Sequence, residues 1–178
     1  VDNYSDMTYS HLQTSLDTEQ TVNSKLAFEA HAYNQGVTVK AYRADNGRFL
    51  EKGYRDAVTN CNQTIDYCGV GTHHQNGIIE RKIGLMTNDA RVLLLSAMRR
   101  WPEMISTLLW PFAWKEIERC DNNFGVNKYG RHPVQAFGNT KLPFNVQLRD
   151  QHTWGCPVYV LDSKAADGKI PKWNPKAR

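Results

Sequence analysis

The sequence predicts an α/β protein, and three observations lead to that class. A run rich in β-branched residues, 37–42, lies between two segments of helical composition. A second short strand-like run, 64–68, follows the next helical segment. The longest periodic segment, from residue 77 to about 98, comes after it. Helices that alternate with strands are typical of layered α/β folds with right-handed crossovers.

The composition fits one globular domain with a basic end. The chain has 178 residues, 40% of them apolar, which is enough for a sizeable core. No stretch approaches the roughly 20 apolar residues of a membrane helix, and no signal peptide opens the chain, so we expect no membrane partner. The net charge of +4 favours a polyanionic partner only weakly. Residues 164–178 form a basic tail.

The first elements predicted in chain order are a hairpin and a helix. Intermittent apolar residues in 1–3 and 7–13 predict two short strands joined by a turn at 4–6. Residues 17 or 18 to 33 then carry apolar side chains at helical spacing, and Gly36 is a stop signal.

A strand, a helix and a second strand follow. The strand that begins at residue 37 ends at Asp45, because Asn46-Gly47 is turn chemistry. Residues 50–60 can form a helix and residues 64–68 a short strand. This order predicts a strand–helix–strand unit.

Residues 77 to about 98 form the best-marked helix. Its apolar residues lie within about 60° of one line at 100° per residue. They are Ile79, Ile83, Met86, Ala90, Leu93, Leu94 and Ala97. Glu80 lies roughly 100° from this line, in a stripe with Gly84, Thr87 and Arg91. Its carboxylate can therefore face a site at the edge of the core.

The remaining elements are less regular. Pro102 and Pro111 mark the first turns of two further helical segments. Residues 122–138 have loop composition, and residues 153–161 predict a last strand. Four of the five tryptophans are expected to pack in the core or between helices, and not to stack on bases. They are Trp101, Trp110, Trp114 and Trp154.

Cysteine and histidine give no zinc pattern. The four cysteines are Cys61, Cys68, Cys120 and Cys156. Their spacings, with His73 and His74, match neither Cys-x₂-Cys nor His-x₃₋₅-His, so we expect buried free thiols and surface histidines.

Two carboxylates carry the chemistry, Asp45 at the end of a strand and Glu80 at the start of the long helix, 35 positions apart. Oxygen ligands suit Mg²⁺, and paired carboxylates can hold divalent metal for displacement at a phosphodiester. This pairing indicates nucleic-acid chemistry. Taken singly, Asp45 could be only a turn former and Glu80 only a partner of the helix dipole.

With these residues laid out, the chain resembles the integrase catalytic core of LTR retrotransposons, most closely the copia type. The resemblance rests on Val1-Asp2-x-Tyr4-Ser5, Arg43-x-Asp45-Asn46-Gly47, Thr72-x-x-Gln75-Asn76-Gly77-x-x-Glu80-Arg81-Lys82, Ala90-Arg91, and the run from Leu148-Arg149 to Trp154-Gly155-Cys156. It implies a ribonuclease H-like fold with a mixed central sheet flanked by helices. It also implies a D,D-E site that binds Mg²⁺ or Mn²⁺ and joins processed DNA 3′ ends to target DNA. Asp45 matches the second aspartate of this site and Glu80 its glutamate.

The match departs from the family in two places. The family's first aspartate lies on a strand upstream of Val1, so we expect the first strand to be missing and Asp2 to serve only in a turn. His73 stands where the family often has proline. We therefore expect a piece of a larger polyprotein that is inactive alone, with an incomplete core at 1–125 and an extension with the basic tail at 126–178.

The resemblance also assigns DNA contacts. It implies phosphate contacts from Arg81, Lys82 and Arg91 and a loop that approaches DNA at Gln75, Asn76 and Gly77. The alternative interpretations are a solvated helix face for the three basic residues and an ordinary turn for the loop. The implied partners are the element's DNA ends and target DNA, with homo-oligomers as the working form. The implied location is the nucleus, after cytoplasmic assembly of the parent element.

Two other functions stay open. One is a non-catalytic module for nucleic-acid binding or assembly, a relic that keeps the fold. The other is a related metal nuclease that cuts DNA without joining ends.

Overall fold

A computed structural model describes residues 1–69, 77–138 and 151–158. These residues contain five α-helices and two strands, besides short 3₁₀ helices at Arg48–Leu50 and Thr107–Leu109. In chain order they are α1 (Thr18–Asn34), β1 (Ala41–Ala44), α2 (Lys52–Asn60), β2 (Thr64–Tyr67), α3 (Gly77–Arg100), α4 (Trp110–Phe124) and α5 (Pro133–Gly138). The predicted alternation of helices and strands is confirmed. The mixed central sheet and the domain boundary at residue 125 stay predictions. Among the described helices, none is long and apolar enough to cross a membrane.

The two strands form a parallel β1-α2-β2 unit. Ala41 of β1 is in register with Thr64 of β2, and Ala44 with Tyr67. Parallel strands need a crossover, and α2 supplies it. The N–H of Cys68 donates to the Ala44 carbonyl at 3.0 Å, which extends the ladder past the last paired residues. The carboxyl ends of both strands therefore lie at the same edge.

Helix α1 has strong signals at both ends. The Asp17 carboxylate accepts a hydrogen bond from the N–H of Gln20 at 2.7 Å, which caps the first turn. At the other end, Gly36 has a φ of +75° and its N–H donates to the Tyr33 carbonyl at 2.9 Å. Glycine takes this conformation without strain, so the chain can turn into β1.

A polar network joins α1 to the sheet. The Lys25 side chain is fully buried, and its ammonium lies 2.9 Å from the Glu29 carboxylate. The same carboxylate accepts hydrogen bonds from the Tyr42 hydroxyl and the Gln63 amide, both at 2.6 Å. Burial would raise the pKa of Glu29, but these hydrogen bonds outweigh it and lower that pKa. Burial, then the bond to Glu29, raises the pKa of Tyr42.

Helices α3 and α4 share the apolar core. Ala90 and Leu94 of α3 pack against Ala113 of α4. The partly buried residues around this cluster are Leu93, Met98, Ile105, Leu109, Trp114, Ile117 and Trp154. An ion pair of 2.8 Å between Lys82 of α3 and Asp121 of α4 joins the helices near the first turns of α3.

The predicted N-terminal hairpin is wrong. Residues 1–16 contain a turn at residues 3–5, as expected, but no strand. Asn122 of α4 takes the place of a partner strand: its side chain accepts from the Thr8 N–H at 2.9 Å and donates to the Thr8 carbonyl at 2.7 Å. The Glu118 carboxylate accepts from the Ser10 N–H at 2.9 Å. The Thr8 backbone groups and the Ser10 N–H are thus bonded by side chains of α4.

Other elements differ from prediction in extent. Strand β1 begins at Ala41, four residues later than predicted. Residues 101–106 form a turn and no helix, and a short 3₁₀ helix follows at Thr107–Leu109. Pro111 does lie in the first turn of α4. Ile83 is 51% exposed, although its periodicity placed it on the buried line of α3. The other members of that line are buried or half-buried.

The C-terminal predictions are tested only in part. Residues 122–138 contain the end of α4 and the short α5, so they are more helical than their composition suggested. Residues 151–158 form a turn with no strand, and the rest of the predicted strand lies outside the described residues. All four cysteines are free thiols, as expected, but only Cys68 is buried.

Candidate metal and nucleic-acid site

Asp45 lies at the carboxyl edge of the parallel strands. It follows β1 directly, and its side chain is exposed. Its Oδ1 accepts a hydrogen bond from the Gly47 N–H at 3.1 Å, which is the turn role that its sequence context predicted. A Cβ at position 47 would lie 3.1 Å from the same oxygen, so glycine leaves the carboxylate open on that side. The turn thus fixes the carboxylate without enclosing it.

Asn46 fastens this turn to the second strand. Its amide donates to the carbonyl of Cys68 at 2.7 Å. The loop after β1 and the loop after β2 are therefore held together at the edge where Asp45 lies. In parallel α/β sheets, ligands bind outside this carboxyl edge. Sequence reasoning treated Asn46 only as a turn residue, and the distant carbonyl that it binds left no signal in the sequence.

Glu80 lies in the first turn of α3 and is exposed. The stripe predicted for it, with Gly84, Thr87 and Arg91, is confirmed as a solvent-facing side of the helix. A carboxylate in the first turn is stabilised by the helix dipole, so this position alone does not separate a structural role from a metal-binding one.

The predicted phosphate contacts divide into two groups. Arg81 and Arg91 are exposed on α3 and open to a polyanion. Lys82 is instead bound to Asp121, and its side chain is 24% exposed. Its charge is partly neutralised within the fold. Gln75 and Asn76 lie outside the described residues, and Gly77 is the first residue of α3.

The two predicted metal ligands are exposed carboxylates on separate elements, Asp45 after β1 and Glu80 in α3. Among the described residues, no three His, Cys, Asp or Glu side chains come close enough together to form a complete metal cage. The Asp2 carboxylate accepts from the N–H and hydroxyl of Ser5 at 2.7 and 2.6 Å, which is the turn role predicted for it. Mg²⁺ is often bound through one or two carboxylates plus substrate phosphates. Asp45 and Glu80 have carboxylate oxygens, the kind of ligand that this binding mode uses.

A groove opens between α3 and α4, beyond Glu80 on the same stripe. Its volume is about 290 Å³, and Thr87, Arg91 and Trp110 lie on its walls. Trp114 and Trp154 pack on the core, as expected of tryptophans here. Trp110 does not, because it begins α4 and remains 53% exposed. Pro111, which follows Trp110, predicts the start of the helix. No sequence signal predicts that the Trp110 ring is exposed to solvent.

Comparisons with known proteins show which solved structures the fold of this chain resembles. No protein-family model matches the chain, and no curated protein matches it. Among solved structures, it is similar to a chain of the simian T-cell lymphotropic virus intasome in complex with PP2A regulatory subunit B56 gamma. The TM-score is 0.61 and the identity 17%, over 99% of this chain and 58% of that one. This chain therefore spans less than two thirds of that neighbour.

The HTLV-2 integrase catalytic core domain in complex with magnesium is also similar. Its trimeric form gives a TM-score of 0.56 at 19% identity, and its dimeric form 0.55 at 18%. Each match covers 77% of this chain and 80% of the other. At these identities the likeness shows the fold alone: the chain has a fold similar to that of integrase catalytic cores.

Proposed function

We propose that this chain is part of an integrase core that joins retrotransposon DNA ends to target DNA. Asp45 and Glu80 are two of its catalytic carboxylates. The observation that carries the proposal is the position of Asp45, exposed and fixed at the carboxyl edge of β1 in a fold shared with integrase cores. The motifs around both carboxylates favour a copia-type element as the source.

The chain's own residues would divide the work as follows. Asp45 and Glu80 supply oxygen ligands for Mg²⁺ or Mn²⁺, which neutralises charge on the phosphoryl oxygens when it is bound. Asn46 keeps the Asp45 turn against the end of β2, so the carboxylate is oriented before substrate arrives. Arg81 and Arg91 attract the DNA backbone. Catalysis of phosphoryl transfer is mostly such positioning and charge neutralisation.

The partners belong to the same proposal. We expect two DNA substrates, the ends of the element and the target DNA. We also expect homo-oligomers as the active form, a parent polyprotein and a nuclear site of action. Two of the structural neighbours were solved as a trimeric and a dimeric form, which supports an oligomer for this chain.

The test is a strand-transfer assay on the full-length parent protein, with labelled element-end DNA and plasmid target. Glu80→Gln and Asp45→Asn should each lose joining by orders of magnitude while DNA binding persists. Asp66→Asn is the matched control, because Asp66 is an exposed carboxylate on β2 and should leave joining unchanged.

The outcomes separate the competing functions. Joining that survives Glu80→Gln removes Glu80 from the site. DNA cutting without joining by the unmodified protein would identify a metal nuclease. DNA binding with neither activity, in the presence of Mg²⁺, would identify a non-catalytic relic of the fold.

A further inference from the structure

The groove between α3 and α4 has the composition of a nucleobase site. Helix α3 contributes Thr87, Arg91 and Leu94 to it, and the opposite wall carries Thr107, Trp110 and Trp114. Indole faces stack on bases, hydroxyls can bond base edges, and a guanidinium attracts phosphate. The groove therefore combines the three contacts that a nucleotide needs.

The volume and the charge of the groove restrict which ligands it can bind. Ligand pockets usually run from about 300 to 1,000 Å³, so a groove of about 290 Å³ admits one planar ring system and little more. Among the described residues that line it, Arg91 alone is charged, and none of the described carboxylates forms an ion pair with it. The groove is thus apolar with one free positive charge, which complements an anion carrying an aromatic group.

The groove is also in line with the proposed reaction centre. Glu80 and Arg91 occupy one exposed stripe of α3, and eleven helical residues rise about 16 Å. A DNA strand that follows this stripe can reach both places within a few nucleotides, since successive phosphates lie several Å apart. Trp114 is held in place by its indole N–H, which donates to the Ser10 hydroxyl at 2.9 Å. That wall of the groove is therefore preorganised.

We propose that this groove binds an unpaired nucleobase of the DNA substrate, which stacks on Trp110 while Arg91 contacts the adjoining phosphate. The inference rests on the proposed function, because it names how the DNA of that same site is held. A base inside a duplex must first leave its stack, at a cost of a few kcal/mol. Single-stranded or frayed DNA is therefore the preferred ligand.

The experiment measures fluorescence anisotropy of a short labelled single strand and of a blunt duplex of the same sequence, over a series of salt concentrations. Trp110→Ala should raise the Kd for the single strand about 5- to 150-fold, the range for one lost stacking contact. It should change the duplex Kd little. Trp110→Phe should restore most of the affinity, because it keeps an aromatic face.

Two further variants separate stacking from charge. Phe112→Ala is the matched control, because Phe112 is a 65% exposed aromatic on the same helix that does not line the groove; it should leave both Kd values unchanged. Arg91→Gln should reduce the slope of log K against log salt by about 1, whereas Trp110→Ala should leave the slope as it is. Circular dichroism of each variant checks that the fold is retained.

Each other result overturns the inference in a distinguishable way. If Trp110→Ala binds the single strand as Phe112→Ala does, the groove is not a base site, while salt-dependent binding by the unmodified chain leaves the proposed function standing. If Trp110→Ala instead converts an oligomer to a monomer in sedimentation, with unchanged DNA affinity, the groove is a protein interface. If the unmodified chain binds no single strand, the groove inference falls, whereas the proposed function falls only if the parent protein also fails in the strand-transfer assay.

Discussion

The substitution Glu29→Gln tests what holds β1 in place. Glu29 is the only carboxylate paired with Lys25 among the described residues, and the Lys25 side chain has no exposed surface. Removing one partner of a buried ion pair costs about 3–5 kcal/mol. Of the described groups, the Lys25 ammonium would keep only a neutral amide, the Cys61 sulfur at 3.6 Å and the Tyr42 ring at 5.9 Å as partners. The Glu29 side chain is 19% exposed, so water screens part of the loss and the lower end applies. We expect a loss of about 3 kcal/mol.

That loss is large for a domain of this size. Domains are stable by about 5–15 kcal/mol, and 1 kcal/mol shifts the Tm of a 150- to 250-residue protein by about 2–4 °C. Glu29→Gln should therefore lower the Tm by roughly 6–12 °C. Urea unfolding followed by circular dichroism measures the free energy directly. Glu19→Gln is the control, because Glu19 lies on the same helix and is exposed.

The pH dependence gives the sign of the same effect. The pKa of folded Glu29 lies below its usual value of 4.5. Its contribution is therefore fully present above pH 4.5 and is lost as the pH falls through the folded pKa. The stability difference between the unmodified chain and Glu29→Gln should shrink under acid. A difference below about 1 kcal/mol at pH 7, the worth of an exposed pair, or one that grows under acid, would refute the reasoning.

Three further predictions follow from single contacts. Asn46→Ala removes the hydrogen bond to the Cys68 carbonyl and should lower the free energy of unfolding in urea by about 1 kcal/mol. In the parent protein it should also lower the rate of DNA joining without weakening DNA binding. Unchanged joining would show that the Asp45 turn does not need this hydrogen bond. Asp121→Asn releases Lys82 from its ion pair and should steepen the salt dependence of DNA binding toward one more phosphate contact; an unchanged slope would keep Lys82 away from DNA. Asn122→Ala leaves the Thr8 backbone groups without partners and should cost about 1–3 kcal/mol, measured by thermal unfolding, with an unaltered Tm as the contrary result.

The sequence predicted the parts that depend on local chemistry. Helix α3 was predicted from its periodicity and α4 from Pro111, and Asp45 was placed in its turn by the Asn-Gly that follows. These signals lie within a few residues of the feature that they mark. The same is true of Glu80, whose angle from the buried line followed from helix geometry alone.

The sequence did not predict contacts between distant segments. The pattern of residues 7–13 suited a strand, but whether a strand finds a partner depends on what lies beside it in three dimensions. Here Asn122 and Glu118 occupy that place. Lys82 carried a charge suited to DNA, and only the packing of α3 on α4 brought Asp121 beside it. Trp110 was predicted to pack in the core, but its ring is exposed at the start of α4.

The hydrogen bonds between α4 and the first ten residues have a consequence for the order of folding. The contact between Thr8 and Asn122 spans 114 positions, and closing so long a loop must precede any gain from the contact. Contacts of high sequence separation form slowly, whereas α3 and α4 are close in sequence and can pair early. We therefore expect the first ten residues to dock onto a helix that has already formed. In hydrogen exchange, the Thr8 and Ser10 amides should open before those of the α3–α4 core, because their release breaks side-chain bonds without unfolding that core.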